Sequence, residues 1–157
     1  MRSGYYHRDA FSLVSSLPPG GVDVTITSPP YGSMKDYGAK DQIGHGQTYE
    51  EYLDSVCRIF EGLLQKTKET GSLWIVADTF KHRSQLRLLP FDLAARLTNV
   101  GWKLQDVIIW NKTKTLPWSR QGQLRRTFEY ILFFSKNRDF KYFVSRIKER
   151  RHKASLW

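Results

Sequence analysis

Cysteine is nearly absent from this chain. Cys57 is the single one among 157 residues, so no disulfide can close within the chain and no cysteine-based zinc site can be built. So little cysteine suits a reducing cytosol. Long hydrophobic runs are missing too. No stretch approaches the ~20 apolar residues that cross a bilayer, and the first residues hold no apolar signal region. The expectation is a cytoplasmic protein without a membrane partner. Acidic residues are scarce at one end. Residues 1–110 balance 12 Lys/Arg against 12 Asp/Glu, whereas residues 111–157 hold 13 Lys/Arg and 3 Asp/Glu. The whole net charge of +10 therefore sits in the last 47 residues. Charge concentrated in this way points to a polyanion, most simply nucleic acid, although a solvated basic tail has the same composition.

What is present reads as one domain of alternating strands and helices. At 40% hydrophobic residues the chain has enough apolar material for a core. Residues 5–10 are expected to form a short strand ending at Asp9. Residues 11–17 give one or two helical turns before the breaker cluster Pro18-Pro19-Gly20-Gly21. Val22 to Thr27 is dominated by β-branched residues and reads as a strand. Thr48 and Glu51 fit a capping box, and Tyr49, Tyr52, Leu53, Val56, Ile59, Phe60, Leu63 and Leu64 then recur at helical spacing. Lys66 and Lys68 suit the end of that helix, and Gly71 is its expected stop. Cys57 falls among its apolar positions and reads as inert packing.

Leu73 to Ala77 is a nearly all-apolar strand of the kind buried on both faces. Pro90 to Asn99 is a second helix stopped by Gly101, and Val107 to Trp110 and Tyr130 to Phe134 are two more strands. Such alternation predicts an α/β fold with a mostly parallel sheet. In sheets of that kind ligands bind at the C-terminal ends of strands.

Thr27-Ser28-Pro29-Pro30-Tyr31 stands at such a place, directly after the first strong strand. Two adjacent prolines hold the backbone extended and remove two N–H donors, while their carbonyls remain. The Ser28 oxygen and the Pro29 carbonyl can together accept hydrogen bonds from an amino group, and Tyr31 can stack on the base that carries it. A turn stiffened by Pro29, Pro30 and Tyr31 with no chemical role is the plainer alternative.

The motif resembles the catalytic signature of the DNA amino-methyltransferases, in which Asp, Asn or Ser precedes Pro-Pro-Tyr, Phe or Trp. The resemblance continues along the chain. Tyr6-His7-Arg8-Asp9-Ala10 and Ser16-Leu17-Pro18 come before the catalytic strand. Asp36-Tyr37-Gly38, Gln42-Ile43-Gly44 and Thr48-Tyr49-Glu50-Glu51-Tyr52-Leu53 follow it. Gly71-Ser72-Leu73-Trp74, Leu89-Pro90-Phe91-Asp92-Leu93-Ala94, Ile108-Ile109-Trp110-Asn111-Lys112 and the segment from Glu129 to Lys136 complete the series in the expected order. The chain is similar to the bacterial and phage methylases of cytosine N4 or adenine N6, in the permuted arrangement that places the catalytic half first.

This resemblance implies a partial Rossmann-like sheet of the S-adenosylmethionine-dependent methyltransferases, with flanking helices and an antiparallel strand pair near the C-terminus. It implies methyl transfer from S-adenosylmethionine to the exocyclic amino group of a base flipped out of double-stranded DNA, without a covalent enzyme intermediate. The cytosine-C5 class needs a Pro-Cys nucleophile that is not here. Ser28, Pro29, Pro30 and Tyr31 take the catalytic role, and Ser28 leans toward cytosine N4, with adenine N6 left open. Asp9 and Ala10, with Ser28, approach the cofactor; Asp9 serves equally as a helix N-cap before Phe11. Trp74 and Trp110 read as core packing, and Glu129 as structural or as ordering the active-site loop. Lys112, Arg120, Arg125 and Arg126, before the last strand, are candidate DNA contacts, and no metal is implied.

One family feature is absent: the glycine-rich cofactor loop, Phe-x-Gly-x-Gly. Gly20-Gly21 and Gly44-His45-Gly46 do not substitute for it, since neither follows a strand and opens a helix. The expectation is a catalytic half over residues 1–140 and the start of a basic target-recognition region over 141–157. A C-terminal fragment or self-association would complete the fold. A DNA-binding remnant without catalysis, and an amino-methyltransferase acting on RNA or a protein glutamine, are the competing readings.

Overall fold

A computed structural model describes residues 4–32, 34–39, 41–113 and 126–143. Its first element is a helix, where a strand over 5–10 was expected. The helix α1 (Ala10–Ser16) opens at Asp9, whose carboxylate accepts from the Ser12 amide at 2.9 Å. Residues 5–9 form no regular element. Capping by Asp9 thus decides the local structure.

The capping box of the next helix, α2 (Tyr49–Lys66), is fully formed. Thr48 accepts from the Glu51 amide, and the Glu51 carboxylate accepts from the Thr48 amide at 2.7 Å. The helix buries Tyr52, Leu53, Val56, Cys57, Phe60 and Leu63. It ends at Lys66 and not at Gly71. Thr67 turns to an extended backbone, and its hydroxyl donates to the Leu63 carbonyl at 2.9 Å. Gly71 has a different task, because a Cβ there would lie 2.6 Å from Cγ2 of Thr67 and 2.8 Å from the Asp23 carbonyl. It lets the strand after α2 fold against its neighbour.

That strand, β2 (Thr67–Ala77), runs parallel to β1 (Val22–Thr27). A short hairpin follows, β3 (Phe80–His82) and β4 (Gln85–Arg87), which the sequence reading did not anticipate. Then come α3 (Leu89–Asn99), β5 (Lys103–Asn111) and β6 (Phe128–Ser135). The main sheet has the order β1-β2-β6-β5, with β6 antiparallel to both of its neighbours. The parallel pair and the antiparallel pair are as expected; the insertion of β6 between β2 and β5 is additional.

One face of the sheet carries the core. Leu73, Ile75, Ala77, Leu132 and Phe134 cluster there with the apolar sides of α2 and α3. Trp102 is 1% exposed, and its indole N–H donates to the Phe60 carbonyl at 3.0 Å, so the polar atom of a large buried ring is satisfied. On the opposite face Trp74 stacks on Phe133 with centroids 4.0 Å apart, and Phe140 and Tyr142 pack on the same ring. Toward β1 that face is open, with Val24 53% and Ile26 75% exposed. Trp110 is no core residue: it is 49% exposed, with the Lys112 ammonium 5.7 Å from its ring centre. No helix of the described residues is long and apolar enough to cross a membrane.

Burial pushes the Cys57 thiol up to about 11. At pH 8 it should hold roughly two orders of magnitude less thiolate than an ordinary cysteine. A maleimide probe should therefore label the native chain very slowly. Labelling should rise along the same urea curve as loss of the circular-dichroism signal; rapid labelling without denaturant would mean that α2 does not pack as described.

Candidate active site

The carboxyl ends of β1, β2 and β5 and the start of β6 meet at one edge of the sheet. Ser28 to Tyr31 leaves β1 at this edge. The motif divides there. Ser28, Pro29 and Pro30 line a cavity of about 580 Å³ together with Asp9 and Ala10 at the start of α1. The far wall is apolar, formed by Ile43, Val56, Ile59 and Phe60, while His7, Arg8, Asp41 and Gln42 supply polar groups. Asp9 caps α1, as one of its two readings expected, and also lines this cavity.

Tyr31 packs partly against the core. Burial pushes its phenol up to about 12, and the negative charges of Glu129 and Asp78 add to this, while Ser28 and Arg126 pull the other way. The ring thus stays a neutral phenol throughout the physiological range.

The backbone of the motif is held from α2. The Tyr52 hydroxyl donates to the Pro30 carbonyl, and the ring is 1% exposed. Burial raises the Tyr52 pKa well above the usual tyrosine range, with the Gly32 backbone in hydrogen-bonding reach opposing it. Gly32 turns the chain at φ +58°, with the Phe80 ring in contact. Gly44, at φ +93°, presses on that turn so closely that a Cβ would stand 2.3 Å from the Gly32 carbonyl oxygen. The Gly44 amide donates to the Gln47 side chain at 2.7 Å, and Gln47 in turn donates to Ser55 on α2 at 3.0 Å.

Beside Tyr31 lies a charged cluster that the sequence reading missed in part. Asp78, directly after β2, keeps a side chain 14% exposed, and burial raises its carboxyl above the usual range against the pull of Arg126. Arg126 donates to both the carbonyl and the hydroxyl of Thr79 and stands 3.5 Å from Asp78. The Lys112 ammonium pairs with Glu129 at 2.6 Å. Two of the four cations foreseen as DNA contacts are therefore held at the mouth of the site by partners within the chain. Arg120 and Arg125 lie outside the described residues. Asp78 and Thr79 had a legible signal: two polar residues stand directly after an apolar strand, where α/β sheets place their ligands. Among the described residues no group of three His, Cys, Asp or Glu is placed to hold a metal ion.

The sequence profile of the family described as DNA methylase matches residues 22–155. The type II methyltransferase M.MwoI of Methanothermobacter wolfeii is 39% identical over 133 residues, which cover 82% of this chain and 20% of that protein. A protein of Thermus thermophilus assigned as a DNA modification methylase, solved with S-adenosyl-L-methionine, is 26% identical. The match covers 85% of this chain and 53% of that one at a TM-score of 0.64. The PvuII DNA methyltransferase, which is cytosine-N4-specific, shares the fold at a TM-score of 0.70 and 20% identity, over 86% of this chain and 49% of its own. The chain thus spans a fifth of the first relative and about half of each solved structure.

The contact between Gly32 and Gly44 makes a testable difference between two neighbouring glycines. Gly44 and Gly46 both have positive φ, but a Cβ at Gly46 would meet nothing within 4 Å. Gly44→Ala should cost well over about 1 kcal/mol in urea unfolding, because backbone strain and a backbone clash add. Gly46→Ala carries the strain without the clash and should cost less; equal losses would remove the close approach from the account.

Proposed function

The chain belongs to the DNA methylase family, and on that premise we propose that it carries the catalytic motif of a site-specific DNA methyltransferase. The transfer runs from S-adenosylmethionine to the exocyclic amino group of a base flipped out of the duplex. One observation carries this reading: Ser28-Pro29-Pro30-Tyr31 leaves the C-terminal end of β1 on the rim of a cavity that α1 also lines. A base in the stack hides its amino group, so the chemistry requires the base to leave it.

S-adenosylmethionine, when bound, would supply a sulfonium methyl, the S–CH3 bond breaking as the N–CH3 bond forms, with S-adenosylhomocysteine as leaving group and one amino proton passing to solvent. The apolar wall of Ile43, Ile59 and Phe60 suits an adenosine ring, and the polar rim near Asp9 suits the ligand's hydroxyl and amino groups. Asp9, Ala10 and Ser28 are the cofactor-side residues in this reading. The Ser28 hydroxyl and the Pro29 carbonyl accept hydrogen bonds from the target amino group, which orients the nitrogen lone pair toward the methyl. The neutral ring of Tyr31 offers its face to the base. The Pro30 carbonyl, already engaged by Tyr52, fixes the backbone instead of the substrate.

Cytosine N4 is the preferred target, on the serine at the first motif position; adenine N6 fits the same geometry. Lys112, Arg120, Arg125 and Arg126 supply positive charge for the DNA backbone. In Lys112 and Arg126 the charge is set in place by Glu129, Thr79 and Asp78. We read the cofactor pocket as completed by further polypeptide, either a C-terminal fragment or a second copy. Two features support this: no glycine-rich strand-to-helix loop occurs in the sequence, and β1 is an edge strand with Val24 and Ile26 exposed. The same missing loop favours a second reading, a DNA-binding remnant that does not hold cofactor.

Methyl transfer by the motif variants separates the two. Base–aromatic stacking is worth roughly 1–3 kcal/mol, so Tyr31→Ala should lower kcat/KM about tenfold or more. Tyr31→Trp keeps a π-face and should retain more activity than alanine. Ser28→Ala should lower kcat by removing an acceptor that acts on the reacting nitrogen. Undiminished turnover by both alanine variants would leave Ser28 to Tyr31 as a structural turn.

A further inference from the structure

The β3–β4 hairpin takes no part in the proposed methyl transfer. It begins two residues after Asp78, so it rises from the same edge of the sheet as the Ser28–Tyr31 motif. Its base is fixed to that site. Phe80, 3% exposed, lies against Gly32 and meets the Tyr49 ring edge-on at 6.0 Å. Arg87 closes the other strand by laying its guanidinium over Tyr49 at 5.1 Å. Tyr49 is tied in turn to Asp92 at 2.6 Å. The far end of the hairpin faces solvent: Lys81, Arg83, Ser84, Gln85 and Leu86 are all exposed.

Two features mark the tip as more than a connection. The first is charge. Between Asp78 and Asp92 the sequence holds Lys81, His82, Arg83 and Arg87 and no acidic residue. The second is the turn itself. His82 pairs with Gln85, so Arg83 and Ser84 form a two-residue loop, and both have positive φ, at 48° and 65°. Turns of that shape favour Asn-Gly, because a Cβ is disfavoured in the left-handed region. Arg83 thus stands where glycine or asparagine would relax the backbone, a strained position at an exposed tip beside the motif.

We propose that this hairpin is a second DNA-contacting element, with Arg83 at its tip binding the phosphate backbone next to the flipped base. The proposal rests on the DNA-methylation reading and adds to it. Lys112 and Arg126 stand at this same edge, Arg126 donating to Thr79 directly before β3, and the hairpin, through Phe80 and Gly32, lies beside the motif as well. A further cation on the hairpin tip extends the phosphate-binding surface beyond Lys112 and Arg126 and helps hold the duplex while one nucleotide is out of the stack. Contacts of this kind carry no sequence information and are read through their dependence on salt.

The test is duplex binding by the full protein, followed by fluorescence anisotropy across a salt series, for the wild type and three variants. Arg83→Gly removes the charge and gives the left-handed position the residue that best tolerates it, so it should melt no lower than the wild type. Its plot of log affinity against log salt should be shallower by about 1, and Lys81→Gln with Arg83→Gly shallower by about 2. Arg58→Gln, an exposed cation on α2 beside Asp54 and Glu61, should leave the slope unchanged. A wild-type slope in Arg83→Gly, or an equal loss in Arg58→Gln, overturns the hairpin's role and leaves the methyl-transfer reading standing. A wild-type protein that binds no duplex at any salt concentration overturns both.

Discussion

A diproline has no amide hydrogens, so the chain that leaves β1 can be held only through its carbonyls and side chains. Tyr52 does the holding. Its hydroxyl reaches from the buried face of α2 to the Pro30 carbonyl, and its ring sits in the core at 1% exposure. Left unpaired on so buried a side chain, the Tyr52 hydroxyl would cost about 1–3 kcal/mol, more than such a bond contributes net when formed. The position of the motif is therefore coupled to the packing of α2, and α2 is set by its own capping box and apolar face. Gly32 and Gly44 then allow the loop after Tyr31 to fold back within contact of the motif, which no larger residue at Gly44 would permit.

From that anchor the edge of the sheet acquires two characters. Toward α1 it is a cavity with an apolar wall, bounded by Ser28, Pro29 and Pro30. Toward β6 it is a set of paired charges around the Tyr31 ring, with Asp78, Arg126, Lys112 and Glu129 all within reach of one another's fields. The pairing matters for chemistry. Lys112 and Arg126 are held at the mouth by Glu129 and Asp78, while burial, with the two carboxylates adding to it, keeps the Tyr31 phenol neutral. The proposed reaction asks for a neutral aromatic face and a pair of hydrogen-bond acceptors for the amino group, and neither depends on a nucleophilic side chain.

The sequence was most legible where structure is local. The Thr48–Glu51 capping box, the helical spacing of α2 and the β-branched run of β1 each specify themselves within a few residues. Asp9 was ambiguous by nature, because a capping carboxylate and a ligand-facing carboxylate look the same in sequence. The order β1-β2-β6-β5 was not legible, since strand neighbours are chosen by packing between distant segments. Gly71 was misread as a helix stop because its real role, clearance for the Asp23 carbonyl, depends on β1 lying alongside. The hairpin escaped notice because Arg83-Ser84 lacks the Asn-Gly signal of a tight turn. Of the site, the motif itself could be read from its residue types; the partners of Lys112 and Arg126 could not, because Thr79 and Glu129 meet them only in the folded sheet.

On the proposed function, this edge of the sheet delivers a methyl group to an exocyclic amino nitrogen in DNA. The most direct measurement is to incubate the full-length protein with labelled S-adenosylmethionine and duplex DNA, digest the DNA to nucleosides, and identify the labelled species by mass spectrometry. The account predicts label on an amino nitrogen, as N4-methyldeoxycytidine for the preferred target or N6-methyldeoxyadenosine for the alternative. Label recovered as 5-methyldeoxycytidine, or DNA that takes up no methyl while the protein is folded and cofactor is bound, would contradict it.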